Sequence, residues 1–278
     1  MINVTEPEYK LLKQFIETHC GIVLEQGKEY LIETRLSELA REVGATSFQD
    51  FHYKAKTDQS GHLRDRIIDA MTTNETSWFR DASAWEYLQK KAIPALIDRM
   101  VKGEKVRIWS AASSTGQEAY SLSMLFYEML SQRGVLNVHS RLDILGTDIS
   151  SSAITNARSG KYDGIAIQRG LPQDKKQRFF VQDANHWIIK PEIKKSVSFK
   201  EFNLQNSFMG LGQFDLILCR YVTIYFSELF KKELFSKFSN ALKRPKDVLL
   251  LGATESLRGF SNDFDIEYYN NAMINLKK

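Results

Sequence analysis

The pattern of apolar and polar positions changes character near residue 75. Before it, apolar residues recur at helical spacing, first Leu11, Leu12, Phe15 and Ile16, then Leu31, Leu36 and Leu39, with polar residues between them. Gly21 and Gly44 fall where those helices would end, and Thr46, Ser47 and Ser60 suit the starts of two further short helices. Residues 1–75 therefore predict a small helical domain. From about Ala82 a linking helix (Ala84–Met100) leads into alternating segments. Strand-like Val106–Ser110, Leu142–Thr147 and Phe214–Cys219 are followed by helix-like Gln117–Gln132, Ser151–Ser159 and Ser227–Lys243, and Val248–Gly252 reads as a fourth strand. This alternation predicts an open, mostly parallel α/β sheet covered on both faces, spanning residues 76–278. Between the second and third strands, Lys161–Asn203 carries a Gly-Leu-Pro turn, the pair Phe179-Phe180 and the β-prone pieces Trp187–Ile189 and Val197–Phe199. We read this stretch, 161–203, as a small antiparallel β insertion projecting from the sheet.

Composition narrows the class. The 278 residues are 43% hydrophobic and 26% charged, an ordinary globular balance. The longest apolar runs, Phe214–Cys219 and Val248–Leu251, fall far short of the roughly 20 residues that span a bilayer. The opening Met1-Ile2-Asn3-Val4-Thr5-Glu6-Pro7 has neither a basic nor an apolar signal region. Two cysteines, Cys20 and Cys219, give neither a disulfide framework nor metal spacing. The expectation is a cytoplasmic protein with no membrane span and no metal. Charge is uneven: residues 1–75 hold 9 Lys/Arg against 13 Asp/Glu, whereas Arg158–Lys200 holds 10 against 4. That basic stretch is either a solvated face or a landing site for an acidic partner. It lacks a zinc-finger, recognition-helix or RNP pattern, so nucleic acid is not expected.

Open parallel sheets bind ligands beyond the carboxyl ends of their strands, where strand order reverses. After the first strand comes Ser110-Ala111-Ala112-Ser113-Ser114-Thr115-Gly116-Gln117-Glu118, opening a helix. It has neither the Gly-x-Gly-x-x-Gly of dinucleotide sites nor the Gly-Lys-Ser/Thr of P-loops. It ends instead in a carboxylate, Glu118, suited to a ligand ammonium. After the second strand stands Gly146-Thr147-Asp148, whose carboxylate suits ribose hydroxyls. A carboxylate for an ammonium and another for a ribose fit S-adenosylmethionine better than NAD; the pattern alone also fits two carboxylates that cap helices.

Three more stretches carry a resemblance: Thr72-Thr73-Asn74-Glu75-Thr76-Ser77-Trp78-Phe79-Arg80-Asp81, the run Phe214–Phe226 containing Cys219-Arg220-Tyr221-Val222, and Leu249–Leu257 containing Gly252-Ala253-Thr254-Glu255. Together with Trp109–Ser121, and in this order over nearly the whole chain, they resemble the chemotaxis receptor methyltransferase (CheR) family. The resemblance implies a helical N-terminal domain and a Rossmann-like methyltransferase sheet with an inserted β subdomain. It implies methyl transfer from S-adenosylmethionine to glutamate side chains of bacterial chemoreceptors, with S-adenosylhomocysteine as product and the receptor's cytoplasmic domain as partner. Residue by residue, it implies that Asn74, Thr76 and Arg80 lie on a loop closing over the cofactor, with Arg80 near the reacting centre. Glu118 would hold the methionine ammonium and Asp148 the ribose. Asn203 and Leu204 would lie beside the adenine, Arg220 and Tyr221 on the loop after the third strand, and Tyr225 close to the transferred methyl.

What is missing fits that chemistry. A glutamate carboxylate, with an ordinary pKa of about 4.3, is already a nucleophile at neutral pH and needs no general base. The five histidines, His19, His52, His62, His139 and His186, lie outside these motifs. Two departures from the family pattern stand out: Gln117-Glu118-Ala119 where the family usually has Glu-Glu-Pro, and Tyr221 where it usually has Asn. If Tyr221 points into the pocket, its ring would stack beside the adenine. A cofactor-poor, receptor-binding adaptor of the same fold, and a methyltransferase of another protein, are the alternative readings.

Overall fold

In the computed structural model, which describes residues 3–278, four helices come first: α1 (Glu6–Cys20), α2 (Glu29–Glu42), α3 (Phe48–Thr57) and α4 (His62–Met71). Pro7 sits in the first turn of α1, where the Glu8 carboxylate accepts the Thr5 N–H, and Gly21 closes the helix with a left-handed φ of 77°. Ser47 caps α3 by accepting the Asp50 N–H, as its position predicts. The apolar stripes of these helices meet in their own core around Leu12, Ile16, Ile32, Leu36, Phe48, Phe51 and Ile67.

Helices α5 (Ala82–Tyr87) and α6 (Ile93–Val101), joined by a π-helical turn (Leu88–Ala92), occupy the span read as one linking helix. Then follow β1 (Val106–Ala111), α7 (Gln117–Gln132), β2 (Leu142–Asp148) and α8 (Ser151–Ser159). The insertion contains β3 (Lys161–Tyr162), α9 (Gly164–Gln168), α10 (Gln173–Phe179), β4 (Phe180–Asp183), β5 (His186–Ile189) and α11 (Pro191–Lys194). Next come β6 (Val197–Glu201), β7 (Leu216–Cys219), α12 (Glu228–Ala241), β8 (Val248–Leu251), β9 (Phe264–Tyr269) and β10 (Ala272–Lys277). Among the described residues, seven strands form one sheet in the order β6-β2-β1-β7-β8-β10-β9, with β10 antiparallel to both of its neighbours. The chain adds strands leftward from β1 and then restarts with β7 on its other side, so the switch point lies between β1 and β7.

Successive residues of the central strands enter different cores. Ile108, Leu216, Leu218, Val248 and Leu250 pack on one face, and Trp109, Ile217, Cys219, Leu249 and Leu251 on the other. Burial on both faces explains why these strands read as unbroken apolar runs. On the second face Trp109 is enclosed by the rings of Phe202, Phe208, Phe214 and Phe238.

The insertion departs from the sequence expectation at one end. Its own antiparallel sheet has the order β3-β5-β4, but Val197–Phe199, read above as part of it, belongs to β6 and pairs in parallel with β2. The reason is Phe199, whose ring lies over Gly146: a Cβ there would come within 2.5 Å of it, so β2 admits β6 only because Gly146 has no side chain. The β9–β10 hairpin is a second element that the sequence reading did not contain.

Candidate functional site

At the switch point, the backbone after β1 leaves the ordinary regions. Ala112 and Ser114 adopt positive φ (58° and 49°), and Gly116, at 91°, opens α7. Such strain persists where surrounding bonds fix it. Here the Ser113 N–H donates to the Thr147 carbonyl (2.7 Å), the Ser114 N–H to Asp148 Oδ2 (2.7 Å) and the Ser114 hydroxyl to the Asn74 carbonyl (2.8 Å). The turn after β1 thus ties the end of β2 to the segment leading out of the helical unit.

Glu118 stands in the first turn of α7, 9% exposed. Its Oε1 accepts the Ser110 hydroxyl (2.8 Å) and its Oε2 accepts Arg220 Nη1 (2.9 Å). Asp148, 6% exposed at the end of β2, accepts the Ser150 N–H on Oδ1 (3.0 Å) as well as that of Ser114 on Oδ2. Burial pushes its carboxyl above the usual range, and the backbone N–H donors oppose that rise. Each Asp148 oxygen keeps acceptor capacity for a hydroxyl.

Arg220 follows β7 and joins two carboxylates, donating to Glu118 and through Nη2 to Asp81 Oδ2 (2.6 Å) and the Arg80 carbonyl (2.6 Å). Burial works against its charge, but Glu118 and Asp81 outweigh it and hold the guanidinium pKa above the ordinary value. Its Nε is buried without a partner among the described residues, and so is the Ser113 hydroxyl. Asp81 is held below the usual carboxylate range: burial raises it, and the Tyr221 hydroxyl and Arg220 more than offset that.

Ser113, Glu118, Asp148 and Arg220 line a cavity of about 390 Å³ together with the other residues the sequence singled out: Asn74, Thr76, Arg80, Asn203, Leu204, Tyr221 and Tyr225. They do not all offer free side chains. The Asn203 amide donates to the His19 carbonyl (2.7 Å) and its oxygen accepts the Gln205 N–H, so it ties α1 to the loop after β6. Asn74 donates to the Ser150 hydroxyl (3.2 Å). Tyr225 is 37% exposed at the cavity, and its carbonyl accepts the Val23 N–H (2.8 Å). The Tyr221 side chain also lines the cavity. One face of its ring lies under the Arg80 guanidinium, 3.5 Å from the ring centroid, and the hydroxyl donates to Asp81.

Three features were not read as functional from the sequence. Asp81 ends the Thr72–Asp81 stretch with no role of its own, yet it binds Arg220 and Tyr221. Glu255 was quoted in a motif without a role, yet it gathers the loop after β7. The helical unit supplies a wall of the cavity through Leu24, Lys28, Leu31, Arg35 and Met71, and Arg35 holds the outgoing chain by donating to the Met71 carbonyl (2.7 Å).

The donor set suits S-adenosylmethionine. Two buried carboxylates end adjacent strand–turn units at the cavity, and among the described residues two buried polar atoms beside them, Arg220 Nε and Ser113 Oγ, have no partner. No helix among the described residues is long and apolar enough to cross a membrane, and no cluster among them could hold a metal ion.

Comparison with known proteins agrees. Residues 74–272 match the CheR methyltransferase SAM-binding domain, and residues 7–72 match the CheR methyltransferase all-alpha domain. The chain is 40% identical over 261 residues to the chemotaxis protein methyltransferase Cher2 of Pseudomonas putida, covering 93% of this chain and 94% of that one. It is 38% identical over 276 residues to chemotaxis protein methyltransferase 1 of Vibrio cholerae, covering 98% of each. To the chemotaxis protein methyltransferase of Borreliella burgdorferi it is 35% identical over 266 residues, covering 94% of this chain and 92% of that one. The chain belongs to the CheR methyltransferase family, with a helical unit followed by a Rossmann-like, S-adenosylmethionine-binding methyltransferase sheet.

Proposed function

We propose that this protein methylates glutamate side-chain carboxylates in the cytoplasmic domain of methyl-accepting chemoreceptors. The observation that carries the reading is one cavity faced by two buried carboxylates, Glu118 and Asp148, and by the guanidinium of Arg80. When bound, S-adenosylmethionine supplies an electrophilic sulfonium methyl, which an ionised carboxylate oxygen takes as the carbon–sulfur electron pair leaves to sulfur.

The chain's residues bind, orient and exclude water. Glu118 receives the methionine ammonium, and Arg220 holds the Glu118 carboxylate in place. Asp148 accepts the ribose hydroxyls. Asn74 and Thr76 cover the bound molecule from the segment leaving α4, with Asn203 and Leu204 on the adenine side. Arg80 and Tyr225 stand at the reacting end, Arg80 facing the acceptor carboxylate. No proton is transferred in this reaction, and no histidine is among the residues lining the cavity. Catalysis rests on positioning and on drying the carboxylate.

An acidic receptor segment docking on the insertion remains part of this reading, but on fewer cations than the sequence count implies. Lys175 and Arg178 both pair with Glu128, and Arg169 pairs with Glu75. Exposed Lys195 and Lys200 make no ion pair or side-chain hydrogen bond among the described residues, and Lys176 lies over Trp187. The division into residues 1–75 and 76–278 belongs to the same proposal.

The test is incubation with labelled S-adenosylmethionine and receptor-containing membranes. Label in receptor protein that base releases as methanol is expected. Base-stable label, or none, would overturn the reading.

A further inference from the structure

Glu255 is 4% exposed, and five donors converge on its carboxylate. Oε2 accepts the N–H groups of Tyr221 (2.6 Å) and Gly252 (2.8 Å). Oε1 accepts those of Val222 (3.1 Å) and Thr223 (2.7 Å) and the Thr223 hydroxyl (2.6 Å). Three consecutive N–H groups aimed at one anion form a nest, and a nest needs a left-handed residue among them. That residue is Tyr221, with φ 62°. Asn, Asp and His tolerate this region far better than an aromatic residue, so something must hold Tyr221 there, and the charge-assisted bonds to Glu255 do. Gly252 lets the loops close: a Cβ there would lie 2.8 Å from Glu255 Oε2 and 3.0 Å from the Tyr221 nitrogen.

The conformation aims the side chain. The Tyr221 hydroxyl donates to Asp81 (2.5 Å), and the ring lies under Arg80, 3.5 Å from centroid to guanidinium carbon. Asp81 is taken by Arg220 and Tyr221, so it does not neutralise its neighbour. Among the described residues the Arg80 side chain makes no hydrogen bond or ion pair; it is held by the ring and faces the cavity.

We propose that Tyr221 and Glu255 are positioning residues for Arg80: the Glu255 carboxylate folds the loop after β7 around a left-handed Tyr221, and the phenol ring so placed is the platform from which Arg80 meets the acceptor carboxylate. The inference rests on the proposed methyl transfer. It assigns to Tyr221 a role toward the protein substrate rather than the adenine.

The experiment is steady-state kinetics on the full chain with receptor-containing membranes, alongside calorimetric S-adenosylmethionine binding. Tyr221→Asn, which suits the same backbone but removes the ring, should raise the acceptor KM about tenfold. Cofactor affinity should stay within about twofold of wild type. Tyr221→Phe keeps the ring but frees Asp81 of the phenol, so its acceptor KM should rise less than that of Tyr221→Asn. Adding Tyr221→Asn to Arg80→Met should cost nothing beyond Arg80→Met alone, because the ring acts through the guanidinium. Glu255→Gln should raise the acceptor KM as Tyr221→Asn does, and if that chain fails to fold the Tyr221–Arg80 cycle decides alone. Multiplicative effects in the cycle, or an unchanged acceptor KM in Tyr221→Asn, overturn the inference. A wild type that methylates no receptor preparation sinks the underlying function instead, a distinct outcome.

Discussion

The two ends of the central sheet each hold buried charge, and they differ in whether that charge is satisfied. At the amino end, Asp215 precedes β7 with a fully buried carboxylate. It accepts Arg99, the Arg107 N–H (2.7 Å) and Lys243 Nζ (2.6 Å). At the carboxyl end of the same strand, Arg220 joins Glu118 and Asp81 but keeps an unpartnered Nε beside an open cavity. The first arrangement closes on itself and fastens α6, β1 and the end of α12 together. The second lines a cavity and leaves a buried nitrogen without a partner among the described residues. Buried ionised groups occur in scaffolds and in sites alike; an incompletely satisfied network at a cavity separates the two.

The largest effect that could break this contrast comes from the amino end. Asp215→Ala leaves Arg99 and Lys243 without their shared carboxylate and should lower unfolding stability by about 3 kcal/mol. S-adenosylmethionine affinity of the folded fraction should be unchanged, by calorimetry on the same preparation. Glu118→Ala and Asp148→Ala should behave in the opposite sense, each weakening cofactor binding by about 1–3 kcal/mol. Wild-type affinity in both would remove the site assignment, and lost affinity in Asp215→Ala would erase the distinction between the two ends.

The sequence carried one side of this contrast better than the other. β7 and β8 are apolar without interruption because both faces are covered, and Glu118 and Asp148 stand where strands end, so local reading reached them. β6 does not stand out from the insertion in the sequence because Val197–Glu201 buries little beyond Phe199, and its register against β2 depends on Gly146, far back in the chain. The final hairpin was visible in principle: Ala272, Ile274 and Leu276 alternate into the core after Asn270, which takes the left-handed φ of 51°. Asp81 and Glu255 had no local signal. Asp81 meets Arg220 across 139 positions and Glu255 meets Tyr221 across 34, and such pairings emerge only when the strands assemble.

A titration sharpens the contrast at the amino end. Burial and the neighbouring Asp215 push Asp247 up from 3.8 to about 6, despite the Arg244 N–H and Arg99 at 3.8 Å. Between those values the folded chain holds a proton that the unfolded chain has lost, so this group's contribution to stability falls as pH rises through that window. Asp215 has the opposite sign: its carboxyl is held down despite burial by the Arg107 N–H, Lys243 and Arg99, and its contribution is lost as pH drops below the ordinary carboxylate range. Asp247→Asn should flatten stability between about pH 4 and 6 and stabilise the fold at pH 7 by about 1–2 kcal/mol. Urea unfolding at pH 5 and pH 7 reads this directly. An unchanged slope would mean that Asp247 is ionised throughout.

The smallest effect applies the same criterion to the surface. Lys175 and Arg178 are committed to Glu128, whose side chain is only 12% exposed, so reversing them sets like charges together and should lower stability. Lys176, Lys195 and Lys200 have no carboxylate partner among the described residues and remain able to attract an acidic segment. Changing these three to Glu should lower stability by no more than about 1 kcal/mol, chiefly through the lost contact of Lys176 with the Trp187 ring. If the insertion docks an acidic receptor segment, that variant should raise the acceptor KM about two- to fourfold at low salt, and the difference from wild type should shrink at high ionic strength as screening removes the attraction. A larger destabilisation of the triple variant would show that these lysines hold internal carboxylate partners after all. An acceptor KM unchanged at every salt concentration would leave the unpaired lysines as solvated surface, and unsatisfied capacity would then mark function only where it faces a cavity.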